Sequence, residues 1–166
     1  MNIRTITKAA AGTALAAAFL TPAAATPPSG LGIFNIVNGH FGTLQVNSDK
    51  AEDKWDLFLK TKGDSDIGAQ RITLEPQGTS GWHSHPAPIF LTVTKGSIEY
   101  TDSLLCTPQT LTAGQSIIEP AYRVNTIVNP ASAGGEVAEM IGIVIKPTSV
   151  IGPALRIDAQ VPNNCD

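Results

Sequence analysis

The chain has 166 residues, 42% of them hydrophobic, 15% charged and 5% aromatic, with 11 Lys+Arg against 14 Asp+Glu. One domain fits that length. The composition excludes an intrinsically disordered chain, and the lack of a basic excess excludes a nucleic-acid binder.

The N-terminal segment, residues 1–25, reads as a secretory signal peptide. Arg4 and Lys8 give the positive start, Ala9–Leu20 is an apolar run of 12, and Ala23-Ala24-Ala25 is a small-residue cleavage pattern before Thr26. A bilayer-spanning helix needs about 20 apolar residues, so no membrane anchor is expected after cleavage. The protein is therefore expected to be secreted or periplasmic. Losing Arg4 and Lys8 takes the basic count from 11 to 9 against 14 acidic residues.

Residues 26–40 are punctuated by Pro, Gly and Asn and are read as a loose N-terminal arm. A barrel is predicted over 41–147 and a wrapping C-terminal tail over 148–166. Gly42–Val46 could open the barrel as a short strand. Thr61–Asp66 has turn chemistry. From there the hydrophobic period becomes two. Ile67–Leu74, Ile89–Thr94, Ser97–Thr101, Ser116–Glu119, Arg123–Val128 and Glu136–Ile145 read as strands. Lys95-Gly96 reads as a tight hairpin turn. Ile89, Leu91 and Val93 form one expected core face, and Ile141, Ile143 and Ile145 another. Short strands at roughly 8–12-residue spacing, with no amphipathic helix between them, predict an all-β sandwich or barrel.

The two cysteines, Cys106 and Cys165, form an even pair in a chain expected to be exported, which invites a disulfide. It would close a loop of about 60 residues and contribute roughly 4 kcal/mol in the chain-entropy model.

Trp82-His83-Ser84-His85-Pro86 is the most chemically distinctive segment. Residues two apart on a strand leave the same face about 6.6 Å apart at ~3.3 Å per residue. Both imidazoles could then reach one metal at ~2.1 Å.

These residues resemble the cupin superfamily. Its first motif runs Gly, five residues, His-x-His, three or four residues, Glu, six residues, Gly. Here His83, His85 and Gly96 match, Gly78 is displaced by one, and Ile89 stands where the family has glutamate. The second motif runs Gly, five residues, Pro-x-Gly, two residues, His, three residues, Asn. Gly114, Pro120 and Asn129 match, Tyr122 replaces the internal glycine and Asn125 replaces the histidine. The segment Arg71–Phe90, Cys106-Thr107-Pro108 and the Arg156-Ile157-Asp158 tail resemble small secreted bacterial cupins.

The resemblance implies a single cupin-type β-barrel, a double-stranded β-helix or jelly roll. It implies a metal site on His83, His85 and Asn125 for a divalent transition metal (Mn, Fe, Ni, Cu or Zn), weakened by the lost carboxylate. Glu119 is a better replacement carboxylate than Glu75, because the strand after it carries Asn125. Trp82, Ile89, Glu119, Tyr122 and Arg123 are candidate pocket residues, with Arg123 placed to grip a carboxylate and His40 read as plain surface. Three functions stand side by side. The barrel binds a small-molecule ligand without catalysis. Or it is a metal-dependent enzyme of oxygenase, decarboxylase or isomerase type, acting on a small organic acid, phenolic or sugar-derived substrate. Or it is a homodimer used for assembly.

Overall fold

A computed structural model describes residues 25–48 and 56–165, so the signal-peptide reading lies outside the described residues apart from Ala25. Ten strands run in chain order: β1 (Ser29–Asn47), β2 (Phe58–Thr79), β3 (His83–Ser84), β4 (Ile89–Lys95), β5 (Ser97–Asp102), β6 (Gln109–Thr112), β7 (Ser116–Glu119), β8 (Asn125–Val128), β9 (Ala138–Pro147) and β10 (Ile157–Asp158). A short 3₁₀ turn spans Gly152–Leu155.

All pairings are antiparallel. One wall runs β1-β2-β9-β4-β7 and the other β6-β5-β8-β3-β10. The walls join where Thr79, at the end of β2, pairs with Val128 of β8. The result is a nearly closed all-β barrel of jelly-roll type. Leu74, Leu91, Val93, Ile98, Tyr100, Leu111, Ile127, Ala138 and Met140 fill one end of its interior. Each fully buried Leu, Ile or Met side chain contributes roughly 1.5–3 kcal/mol. Ala87, Ile89 and Val144 form a smaller cluster beneath Leu155 of the tail.

Several sequence expectations change. Residues 29–47 are one long strand along β2, rather than a loose arm followed by a short strand. Its apolar residues fall on both faces, which hides the period of two: Ile33 and Val37 line a cavity while staying more than half exposed, and Phe34 and Ile36, also exposed, lie outside its lining. Thr61–Asp66 lies inside β2 instead of forming a turn. Its turn residues serve a bulge, where the pairing register shifts between Thr43 and Gln45. Gly96 takes the expected positive φ of 69°, but β4 and β5 do not pair with each other. The chain crosses there from one wall to the other. On β9 the buried residues are Ala138, Met140, Gly142 and Val144, and Ile143 faces out. Aliphatic residues on both faces of that strand conceal its parity. Ile89, Leu91 and Val93 are buried as expected.

Candidate metal site and cavity

His83 and Ser84 are a two-residue strand held from both sides. His83 pairs with Asn125 of β8 and Asp158 of β10, and Ser84 pairs with Ile157. The turn before it depends on Gly81, at φ 65°, where a Cβ would collide with the Thr26 carbonyl. Thr26 also accepts the Trp82 N–H through its hydroxyl at 2.9 Å. Pro86 and Pro88 separate this strand from β4, which begins at Ile89.

The two imidazoles point inward, with centroids 4.7 Å apart and planes at 89°. His83, His85 and Glu119 are 4%, 8% and 3% exposed. One ligand-type atom from each lies within 4.8 Å of the others. The carboxylate absent at position 89 is thus replaced from across the ladder, because Glu119 of β7 pairs in register with Ile89 of β4.

Hydrogen bonding fixes which ring atoms face the cluster. His83 Nδ1 donates to the Gly81 carbonyl at 2.9 Å, and His85 Nδ1 donates to the Leu155 carbonyl at 2.7 Å. In each neutral ring Nε2 then carries the lone pair. His85 Nε2 lies 3.1 Å from Glu119 Oε2. Burial, and then the nearby Arg156 charge, push the His83 pKa down from 6.5 to about 4. Near neutral pH its ring is therefore in the metal-binding form.

Asn125 is fully buried and beside His83 by register, but it is absent from the cavity lining. Its Nδ2 donates to the Arg123 carbonyl at 3.3 Å, and its Oδ1 has no hydrogen-bond partner. Two imidazoles, a carboxylate and an orphaned amide oxygen nearby form a donor set that fits a divalent transition metal.

The cavity beside the cluster has a volume of about 570 Å³, within the usual range for small-molecule sites. Its walls are largely aliphatic. Ile89 and Glu119 line it as expected, but three other candidates do not. Trp82 is half-buried outside it. Tyr122 is exposed, and its part in the site is a backbone N–H donated to the His85 carbonyl at 2.7 Å. Arg123 precedes β8 instead of lying in it, and its Nη1 sits 3.5 Å from Asp102 Oδ2. That ion pair turns it away from the proposed carboxylate grip.

The C-terminal tail supplies residues the sequence did not flag: Val150, Ile151, Gly152, Pro153, Leu155 and Arg156 all line the cavity. The tail crosses it instead of wrapping the outside, because β10 adds to β3. The expected disulfide between Cys106 and Cys165 is formed, 59 residues apart in sequence. Such a bond belongs to an oxidising compartment.

A second polar cluster lines the same cavity. Asp66 is met by Lys146 Nζ and His40 Nδ1 at 3.0 Å each, Asn38 Nδ2 at 3.1 Å and Thr148 Oγ1 at 3.3 Å. His40 is exposed, as expected, but it is also a partner in this cluster.

No curated protein matches the sequence. Among solved structures, the polyketide cyclase RemF from Streptomyces resistomycificus aligns with a TM-score of 0.51 at 11% identity, over 92% of this chain and 90% of its own. An oxalate oxidase aligns with a TM-score of 0.42 at 18% identity, over 51% of this chain and 47% of its own. The chain thus spans about half the length of that oxidase. Identities this low bear on the fold alone. Residues 70–143 match the family described as Cupin domain, and they span both the His-x-His strand and Glu119 of this jelly-roll barrel. Those residues form a cupin domain.

Proposed function

We propose that this is an exported cupin that holds one divalent transition metal on His83, His85 and Glu119 and encloses a small ligand in the aliphatic cavity beside it. One observation carries the reading. Three buried acceptor atoms converge within 4.8 Å, and both histidines direct their donor nitrogens away to backbone carbonyls. With both rings neutral, the two Nε2 lone pairs and the carboxylate repel one another, and a cation relieves that repulsion. The leader pattern in residues 1–25 and the disulfide support export.

The alternative reading is enzymatic. Three protein ligands leave coordination positions for water or substrate, and a metal there supplies Lewis-acid or oxygen-activating chemistry. This chain's residues would orient the ligand and exclude water. The aliphatic wall favours a substrate with an apolar body, such as a phenolic or a small organic acid.

Elemental analysis of protein purified without a chelating tag tests the metal. Near-stoichiometric Mn, Fe, Ni, Cu or Zn is expected, with affinity lowered about a hundredfold or more in His83→Ala and His85→Ala. No bound metal after growth in each of these would overturn the reading. N-terminal sequencing tests export. A mature chain beginning at Thr26 is expected, and a leader retained on cytoplasmic protein refutes it.

A further inference from the structure

Two permanent cations line the cavity, Lys146 and Arg156. Lys146 is already engaged: its Nζ donates to Asp66 Oδ2 at 3.0 Å and to the Val150 carbonyl at 2.7 Å. Arg156 is held differently. Its Nε donates to Asp158 Oδ1 at 2.6 Å and its Nη2 to the Ser80 carbonyl at 2.8 Å. Those bonds fix the guanidinium plane. They use two of its five N–H groups, and Nη1 has no partner among the described residues. Asp158 lies on the solvent side, its side chain 57% exposed against 22% for Arg156.

The charges do not balance inside the cavity. A divalent ion on the cluster brings two positive charges, Glu119 returns one, and Arg156 adds another. Asp158 offsets part of this from solvent. The remaining acid of the wall, Asp66, is saturated by its own donors. Much of the remaining lining is aliphatic, including Leu74, Ile89, Leu91 and Val144. Uncompensated positive charge against such a wall is costly, and a bound anion removes the cost.

We infer that the cavity takes a monoanionic amphipathic small molecule, with its carboxylate received by the Arg156 guanidinium beside the metal and its hydrocarbon body laid on the aliphatic wall. This inference rests on the metal reading above. The planar guanidinium fork matches a carboxylate, whereas a neutral amide of the same shape gains no charge-assisted bond. Arg156 thereby fills the role that the sequence suggested for Arg123.

The test compares octanoate with octanamide, and benzoate with benzamide, by calorimetric titration of zinc-loaded protein at neutral pH. Zinc content is measured first on the same sample. The acids are expected to bind about tenfold or more tighter than their amides. Arg156→Gln is expected to erase that preference while zinc is held at least as tightly, because a neighbouring positive charge is removed, and retained zinc also shows that the variant is folded. Zinc retained with acid and amide binding alike, or with neither binding, overturns this inference alone. So does an acid preference that survives in Arg156→Gln. Protein that holds no zinc overturns the metal reading and this inference with it.

Discussion

Two buried carboxylates line one cavity and sit in opposite electrostatic settings. Asp66 is surrounded by donors: a lysine, a histidine, an asparagine and a threonine. The His40 hydrogen bond, followed by those from Lys146 and Asn38, holds its carboxyl well below the usual carboxylate range. Glu119 instead faces the Nε2 atom of His85, whose only donor in the neutral ring is spent on a backbone carbonyl. A saturated carboxylate fastens structure, and one that meets lone pairs calls for a cation. Similar burial and identical functional groups thus give different roles, decided by the neighbours.

The sharpest way to break this contrast is Asp66→Asn. It leaves the nearly buried Lys146 ammonium without its counter-ion. The melting temperature is expected to fall by several degrees, while zinc affinity changes less than about twofold because the two clusters share no partner. Calorimetry showing an unchanged melting temperature would mean that Asp66 is not the fastening it resembles.

The clusters should also separate by pH. In metal-free protein the His83 pKa is pushed down from 6.5 to about 4, by burial first and the Arg156 charge second. Between those values the unfolded chain binds a proton that the folded chain refuses. Stability therefore falls as the pH drops from about 6.5 to about 4, by on the order of 3 kcal/mol, and rises again with pH. Asp66 has its folded value depressed, so its contribution is fully present above the ordinary carboxylate value of 3.8 and is lost only below it. It adds slope only at the acid end of the same window. Urea unfolding at intervals from pH 4 to 7 measures this, and a profile no flatter in His83→Asn would contradict the assignment.

The smallest effect is the most discriminating. In metal-free protein Glu119→Gln replaces a carboxylate with an amide that can donate to His85 Nε2. Stability is expected to stay level or rise by up to about 1 kcal/mol, although zinc affinity falls. A clear loss of metal-free stability would place Glu119 in the same class as Asp66.

Much of the barrel was legible from residue 67 onward, where Ile, Val and Thr recur with turn residues between them. His83 and His85 were legible because a spacing of two is itself a geometric statement on a strand. The third ligand was harder. Glu119 was recognised as a better candidate than Glu75, but what joins it to the histidines is its register opposite Ile89, which no local pattern encodes. Asn125 pairs with His83, yet it is absent from the cavity lining. Arg156 is not legible in the sequence because its position depends on β10 joining β3, a pairing of only two residues. Such a short strand leaves almost no periodic signal. β1 is obscured for the opposite reason, having too many apolar residues on both faces.

The Cys106–Cys165 bond has a consequence for how the molecule fails. A protease that nicks the chain between those positions cannot shed either fragment while the bond lasts. The piece carrying Leu155 and Arg156 stays tethered next to β3 and can re-engage it at high effective concentration. Nicked molecules would thus keep the roof over their cavity, and only thiol reductants would set it loose.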